Sequence, residues 1–262
     1  MQKTIMLMPS LTLLLCSLVG CATPAGGNYT DAMKIPHVID LSAKDGADAV
    51  ERDGDHKDSP YFSRVDFYNA KPSASLTILE HFKTQQQTSE WSCGVAAALM
   101  VLNWYGKLGQ HNEASLAEFR TPNGAQPSTT NLRNMIEVFN GVGDFALFST
   151  FDVVDTVADV FTLDFIQKTL KAGTPIMIGW NDWGGHWQVI IGYDTMGTAT
   201  VQDDVLIVAD PYDTTDHNQD GYGVYSAERF LYNFTFYDYF PDAELNDMVF
   251  LVAVPQFSVT HL

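Results

Sequence analysis

Apolar residues keep one rhythm in the first part of this chain and another in the rest. Val95-Ala96-Ala97-Ala98-Leu99-Met100-Val101-Leu102 has no polar face, which predicts a buried helix over 93–105, stopped by Gly106 and Gly109. Leu132, Met135, Ile136 and Phe139 follow the i, i+3, i+4, i+7 pattern, so a second helix is expected over 130–140, ended by Gly141. A third is expected over 163–172, between Thr162 as N-cap and Gly173. Beyond that point the apolar blocks are of strand length: 175–180, 187–193, 205–209 and 248–254. A short helix over 226–233 precedes the last of them. Helices first and strands later is the α+β pattern, with a helical half packed on a C-terminal antiparallel sheet.

Residues 22–75 are polar and punctuated by Pro24, Pro36, Pro60 and Pro72. The chain therefore divides into a targeting segment (1–20), a tether and irregular N-terminal segment (21–75) and a compact domain (76–262). The acid-rich run from Asp45 to Asp58 is expected to be solvated surface. No internal repeat stands out. Lys3 and the apolar stretch Ile5–Val19 read as an export signal, too short and too interrupted by Pro9, Ser10, Thr12 and Ser17 to span a bilayer. Leu18-Val19-Gly20-Cys21 resembles the bacterial lipobox, in which the signal is cut before the Cys and the thiol takes a lipid. An ordinary secretory signal with a chance Cys21 is the alternative. Ala22, rather than Asp, after the lipidated residue favours the outer over the inner membrane of a bacterial envelope.

The 262 residues are 46% hydrophobic, enough for one well-packed core. The formal charge is −18, and loss of Lys3 with the signal makes the rest more acidic still. So acidic a surface argues against a nucleic-acid partner. Oligomeric state is not legible. Of three cysteines, Cys16 leaves with the signal and Cys21 would be blocked by lipid. Cys93 is then the lone thiol of the domain, with no partner for an intramolecular disulfide.

Position makes Cys93 a candidate nucleophile. A thiolate attacks far better than a thiol, and the positive end of a helix and a nearby His both favour it. Cys93 opens the apolar helix, whereas a structural Cys would more naturally lie inside it, and Gly94 is expected to leave room for a substrate. His186 is the candidate base. It follows Trp183-Gly184-Gly185 and opens a strand, while the other histidines lie in polar or terminal stretches. Pairing Tyr193 with Asp203 in an antiparallel hairpin sets Asp210 opposite His186. Asp210 is the natural orienter of the ring, with Asp182 a weaker candidate; Asp194, Asp203 and Asp204 fall at the far end. A register slip would turn Asp210 to the other face.

These residues resemble a known family. Cys93-Gly94-Val95-Ala96-Ala97-Ala98-Leu99-Met100-Val101-Leu102-Asn103-Trp104-Tyr105-Gly106 is similar to the nucleophile helix of the bacteriocin-processing (double-glycine) peptidases, members of the papain-like superfamily. Gly185-His186-Trp187-Gln188-Val189-Ile190-Ile191-Gly192-Tyr193 resembles their His block, Ala209-Asp210-Pro211-Tyr212 their Asp-Pro segment, and Ser226-Ala227-Glu228-Arg229-Phe230 the short helix after it. The resemblance covers roughly 80–255 and implies a papain-like fold and a cysteine peptidase or amide hydrolase. It also implies that Gln87, six positions before Cys93, donates to an oxyanion hole with the Cys93 backbone N–H. A polar loop glutamine is the plainer reading of Gln87. The sequence has no phosphate-binding Gly-Lys-Ser/Thr loop and no spanning bundle, so the exporter-borne cleavage after a double glycine is not implied.

Two features remain open. Asp216, Asn218, Asp220 and Gly221 resemble the first half of a calcium loop, but position 12 is Ala227 with Glu228 one residue late, and an acidic turn accounts for them equally well. Trp187 is expected in the core; Trp183 and Gly185 are candidates for the wall of a substrate groove. The function that follows is a thiol hydrolase of peptide or other amide bonds, held to a membrane by an N-terminal lipid and needing no cofactor unless calcium. An acyltransferase or transpeptidase using the same triad, or a papain-like binding lipoprotein without turnover, are the alternatives.

Overall fold

One seven-stranded antiparallel sheet organises the protein. The computed structural model describes residues 31–42, 45–47, 61–63, 65–124, 128–214, 216, 218–235 and 248–259. The expected signal segment, Cys21 and most of the acid-rich run lie outside these. In chain order the elements are β1 (Leu76–Ile78), α1 (Cys93–Trp104), α2 (Glu113–Ala117), α3 (Leu132–Val142), β2 (Phe145–Ser149), α4 (Val157–Val160), α5 (Leu163–Lys171), β3 (Ile176–Trp180), β4 (His186–Asp194), β5 (Val205–Ala209), β6 (Tyr222–Ser226), α6 (Ala227–Asn233) and β7 (Val249–Pro255). The strand order is β2-β7-β3-β4-β5-β6, and β1 joins β4 where β3 stops. The fold is the expected α+β one, with a helical N-terminal half and an antiparallel sheet in the C-terminal part, as in papain-like peptidases. Among the described residues no helix is long and apolar enough to cross a membrane.

Helix α1 is buried from Gly94 to Leu102 and packs on β4, α2 and α3, as its lack of a polar face requires. Its C-terminus closes in a Schellman arrangement: Lys107 N–H donates to Leu102 O (2.8 Å) and Gly106 N–H to Asn103 O (2.9 Å), with Gly106 at φ +69°. The N-terminus is different. Ser92 makes no side-chain cap; its hydroxyl instead donates to Ser89 O (3.2 Å). No side chain among the described residues therefore caps the first turn, and Cys93 at its start is partly exposed.

The body of the protein reaches further toward the N-terminus than Leu76. Met33 and Ile35, inside the expected tether, are buried in the core. Residues 33–42 and 45–47 run against the segment that leads into α1: Ile35 N–H donates to Thr84 O (2.9 Å), Ser42 N–H to Thr88 O (3.1 Å) and Ala47 N–H to Gln87 O (3.0 Å).

The β4–β5 hairpin departs from its expected register. Tyr193 pairs with Leu206, not Asp203, a displacement of three. An odd displacement throws Asp210 to the face opposite His186, because side chains alternate. The ladder then slips by one between Gly192 and Ile190, so that Ile190 faces Val208 and Val189 faces Ala209. This bulge restores the parity. Asp210, one residue past β5, comes opposite Gln188 on the face that His186 shares.

Gly94 has a role other than the expected one. A Cβ there would stand 2.6–2.8 Å from Thr130 side-chain atoms, so the space Gly94 leaves open is filled by Thr130, not by a substrate. Thr130 O in turn accepts from Trp187 Nε1 (2.7 Å), fixing Trp187 in the core, 1% exposed. Gly94→Ala is expected to destabilise the fold by about 1–3 kcal/mol through overpacking, read as a lowered midpoint in urea unfolding.

Candidate active site

Three stretches distant in sequence meet at one cleft of about 350 Å³, lined by Cys93, His186 and Gly185, by Gln87 and Glu90, and by Tyr212 and Thr214. Helix α1 delivers the sulfur, the first residue of β4 the ring, and the turn after β5 the carboxylate. His186 Nε2 and Asp210 Oδ1 are 2.7 Å apart, both residues buried. With Nε2 engaged, Nδ1 is the nitrogen left for Cys93, whose side chain lines the same cleft. Burial works against a charged imidazole. The Asp210 carboxylate and its hydrogen bond, helped by Cys93, overcome it and push His186 up to about 10. Burial likewise works against the Asp210 charge, and the opposing pull of His186, the Tyr212 N–H and Gln188 holds its carboxyl below the ordinary range.

The carboxylate is fully engaged. Besides His186, Oδ1 accepts from Tyr212 N–H (2.7 Å) and Oδ2 from Gln188 Nε2 (2.7 Å). Gln188 is held in its turn by Trp180 Nε1, which donates to Gln188 Oε1 (2.9 Å), and by Tyr225 OH (2.9 Å). Asp182, the weaker candidate orienter, accepts from Tyr225 OH (3.0 Å) and Gln188 Nε2 (3.2 Å). It therefore backs Gln188 and is not the partner of His186.

Gln87 is buried in the cleft wall, where its Nε2 donates to Ser89 O (2.7 Å); the amide has a second N–H to offer. Its neighbour Gln86 ties this segment to the carboxylate loop, donating to Asp210 O (2.9 Å) and accepting from Asp213 N–H (3.1 Å). Gly185 lines the cleft at φ +123°, a conformation that favours glycine. The side chain of Trp183 lies outside the described residues.

At the candidate calcium loop, Asn218 N–H donates to Asp216 Oδ1 (2.9 Å), the Asn218 amide donates to Asp220 Oδ2, and Asp220 Oδ1 accepts from Tyr222 N–H (3.0 Å). These groups are joined to one another and to the backbone, while Asn218 Oδ1 is buried with no hydrogen-bond partner among the described residues. Among the described residues no group of three or more His, Cys, Asp or Glu is arranged to hold a metal ion.

Reading the sequence missed two contributors. Gln188 was legible: it is a polar side chain inside an apolar run and stands two residues from His186, hence on its face. Arg120 carried no such signal. It donates through Nη1 to Thr130 Oγ1 (2.6 Å) and Ser128 O (2.8 Å) and lies over the Trp91 ring at 5.0 Å. Burial lowers its pKa, and attraction to Cys93 acts against that, so a guanidinium stands within electrostatic reach of the sulfur.

A fold of this class, with a thiol and an imidazole in one cleft and a carboxylate bonded to the ring, agrees with the comparison to known families. A family model described as the Peptidase_C39-like family matches residues 79–235, more than half of the chain, and the chain belongs to that family. Membership suggests a papain-like cysteine peptidase. Among curated proteins none matches the chain.

Proposed function

We propose that the protein is a papain-like thiol hydrolase of peptide or other amide bonds, acting through Cys93, His186 and Asp210. The observation that carries the reading is the placement of His186, bonded at one nitrogen to a buried carboxylate and lining the same cleft as the sulfur at the start of α1. Cys93 Sγ attacks the carbonyl carbon while the charge gathering on its oxygen is met by the Cys93 backbone N–H and the free N–H of the Gln87 amide. Collapse of the adduct breaks the C–N bond, and His186 gives its proton to the departing amine. The resulting thioester is released by water, from which His186 takes a proton as Cys93 leaves. Asp210 holds the ring in one tautomer throughout, and Gln188 holds Asp210.

The lipobox-like Leu18-Val19-Gly20-Cys21 supports attachment to a bacterial envelope membrane through lipid on Cys21. Capture by a peptidyl vinyl sulfone in wild type and not in Cys93→Ala tests the nucleophile. Mass analysis of products with and without added amine separates hydrolysis from acyl transfer. Free acid as the sole product supports hydrolysis, and an amide formed from the added amine supports transfer.

A further inference from the structure

The cleft holds one carboxylate outside the expected triad. Glu90 lines it beside Cys93, and no Lys or Arg is among the described residues that do. Glu90 is exposed, yet its Oε1 accepts from Gly46 N–H (2.9 Å) and from Tyr212 OH (3.0 Å). A surface glutamate normally samples many rotamers; two donors from different parts of the chain remove that freedom. Both donors are themselves fixed. Gly46 sits at φ +94°, so close to the loop that a Cβ would meet Ser89 N and Thr88 C at 2.6 Å. Tyr212 stands edge-on to the His186 ring. No described donor engages the second oxygen of Glu90, Oε2. Burial first, then Glu90 and then Asp45, raises the pKa of the Tyr212 phenol, so the phenol keeps its proton and stays a donor to Glu90.

We propose that Glu90 is a specificity-determining residue and that the substrate carries a positive group, an ammonium or guanidinium, next to the bond cleaved. The inference rests on the thiol-hydrolase reading of the cleft. A preset carboxylate oxygen beside the nucleophile costs no reorganisation to engage a cation and repels an acidic substrate group.

Charge-matched thiol reagents test this without knowledge of the substrate. Alkyl methanethiosulfonates react with a thiolate to form a mixed disulfide and expel methanesulfinate. They exist with neutral methyl, cationic ammonioethyl and anionic sulfonatoethyl groups. Rates at Cys93 are taken in wild type, Glu90→Gln and, as a control for overall charge, Asp159→Asn, whose carboxylate is exposed on α4 and not in the cleft. Gln retains an oxygen for both donors, so the local fold is kept. The cationic-to-anionic rate ratio is expected to fall roughly 1.5- to fivefold in Glu90→Gln, the range for one exposed ion pair, and to hold in Asp159→Asn. An unchanged ratio in Glu90→Gln, or an equal fall in Asp159→Asn, overturns the proposal. A neutral-reagent rate in wild type no faster than that of the denatured chain overturns the thiol-hydrolase reading itself, which is a separate result.

Discussion

Cys93→Ala is expected to lower turnover by at least about 10³-fold, since removing a nucleophile disables all members of a catalytic set that act as one. Stability should scarcely change. Cys93 is the first residue of α1 and only partly buried, and Ala suits a helix at least as well. The two readouts together distinguish chemistry from folding: product release from a defined peptide mixture for the first, thermal unfolding for the second. A variant that melts with the wild type and retains turnover means another group carries the reaction.

Asp210→Ala has the second large effect, and it acts on activity and stability at once. Removing one partner of a buried charge pair is expected to cost about 3–5 kcal/mol, and loss of the ring's orientation roughly 10²-fold or more in turnover. The pH dependence carries a distinctive sign. His186 is raised in the folded chain from an ordinary 6.5 to about 10, so its contribution is full below pH 6.5 and fades as pH rises through about 10. Asp210 is lowered from an ordinary 3.8, so its contribution is present above that value and fades on acidification below it. The wild-type advantage over Asp210→Ala in melting temperature should therefore be widest between pH 4 and 6.5 and narrow toward pH 10. An NMR titration of ring-labelled histidine gives the same answer at one site: in wild type the His186 ring keeps its proton well above neutrality, and in the variant it titrates much lower. A difference in stability that does not vary with pH over this range would mean the pair is not ionised.

What could be read from the sequence, and what could not, follows from where the determining partner lies. Helix α1 was legible because its eight apolar residues admit no other element, and α3 and α5 because the spacing of Leu132, Met135 and Phe139, or the Thr162 N-cap, is local information. Strands β3, β4 and β5 announced themselves as apolar blocks between turn residues. By contrast β1 is three residues long, and β2 and β6 are the sheet's outer strands. Phe145–Ser149 becomes a strand through pairing with Val249–Pro255, about a hundred residues away, a contact that no local pattern encodes. Tyr222–Ser226 alternates too weakly, with Gly223 inside it, to be separated from loop. The site shows the same division. Cys93, His186 and Asp210 were each marked by position, but the hairpin argument that joined the last two had the wrong register. It reached the correct residue because the bulge at Ile191, invisible in composition, restored the face. Gly94 was misread for a related reason: what fills the space above it, Thr130, comes from another part of the chain. Arg120 was missed because a surface arginine near Trp91 in space is 29 positions from it in sequence.

The most direct test of the account is the rate of Cys93 alkylation by iodoacetamide between pH 5 and 9, followed by intact mass, in wild type and His186→Ala. With Cys21 replaced in both, the lone domain thiol is read without interference. Wild type is expected to react faster than the denatured chain across this range, and His186→Ala to lose about tenfold or more of that rate at neutral pH. Two superimposable profiles, both matching the denatured chain, would contradict an activated sulfur at the mouth of α1.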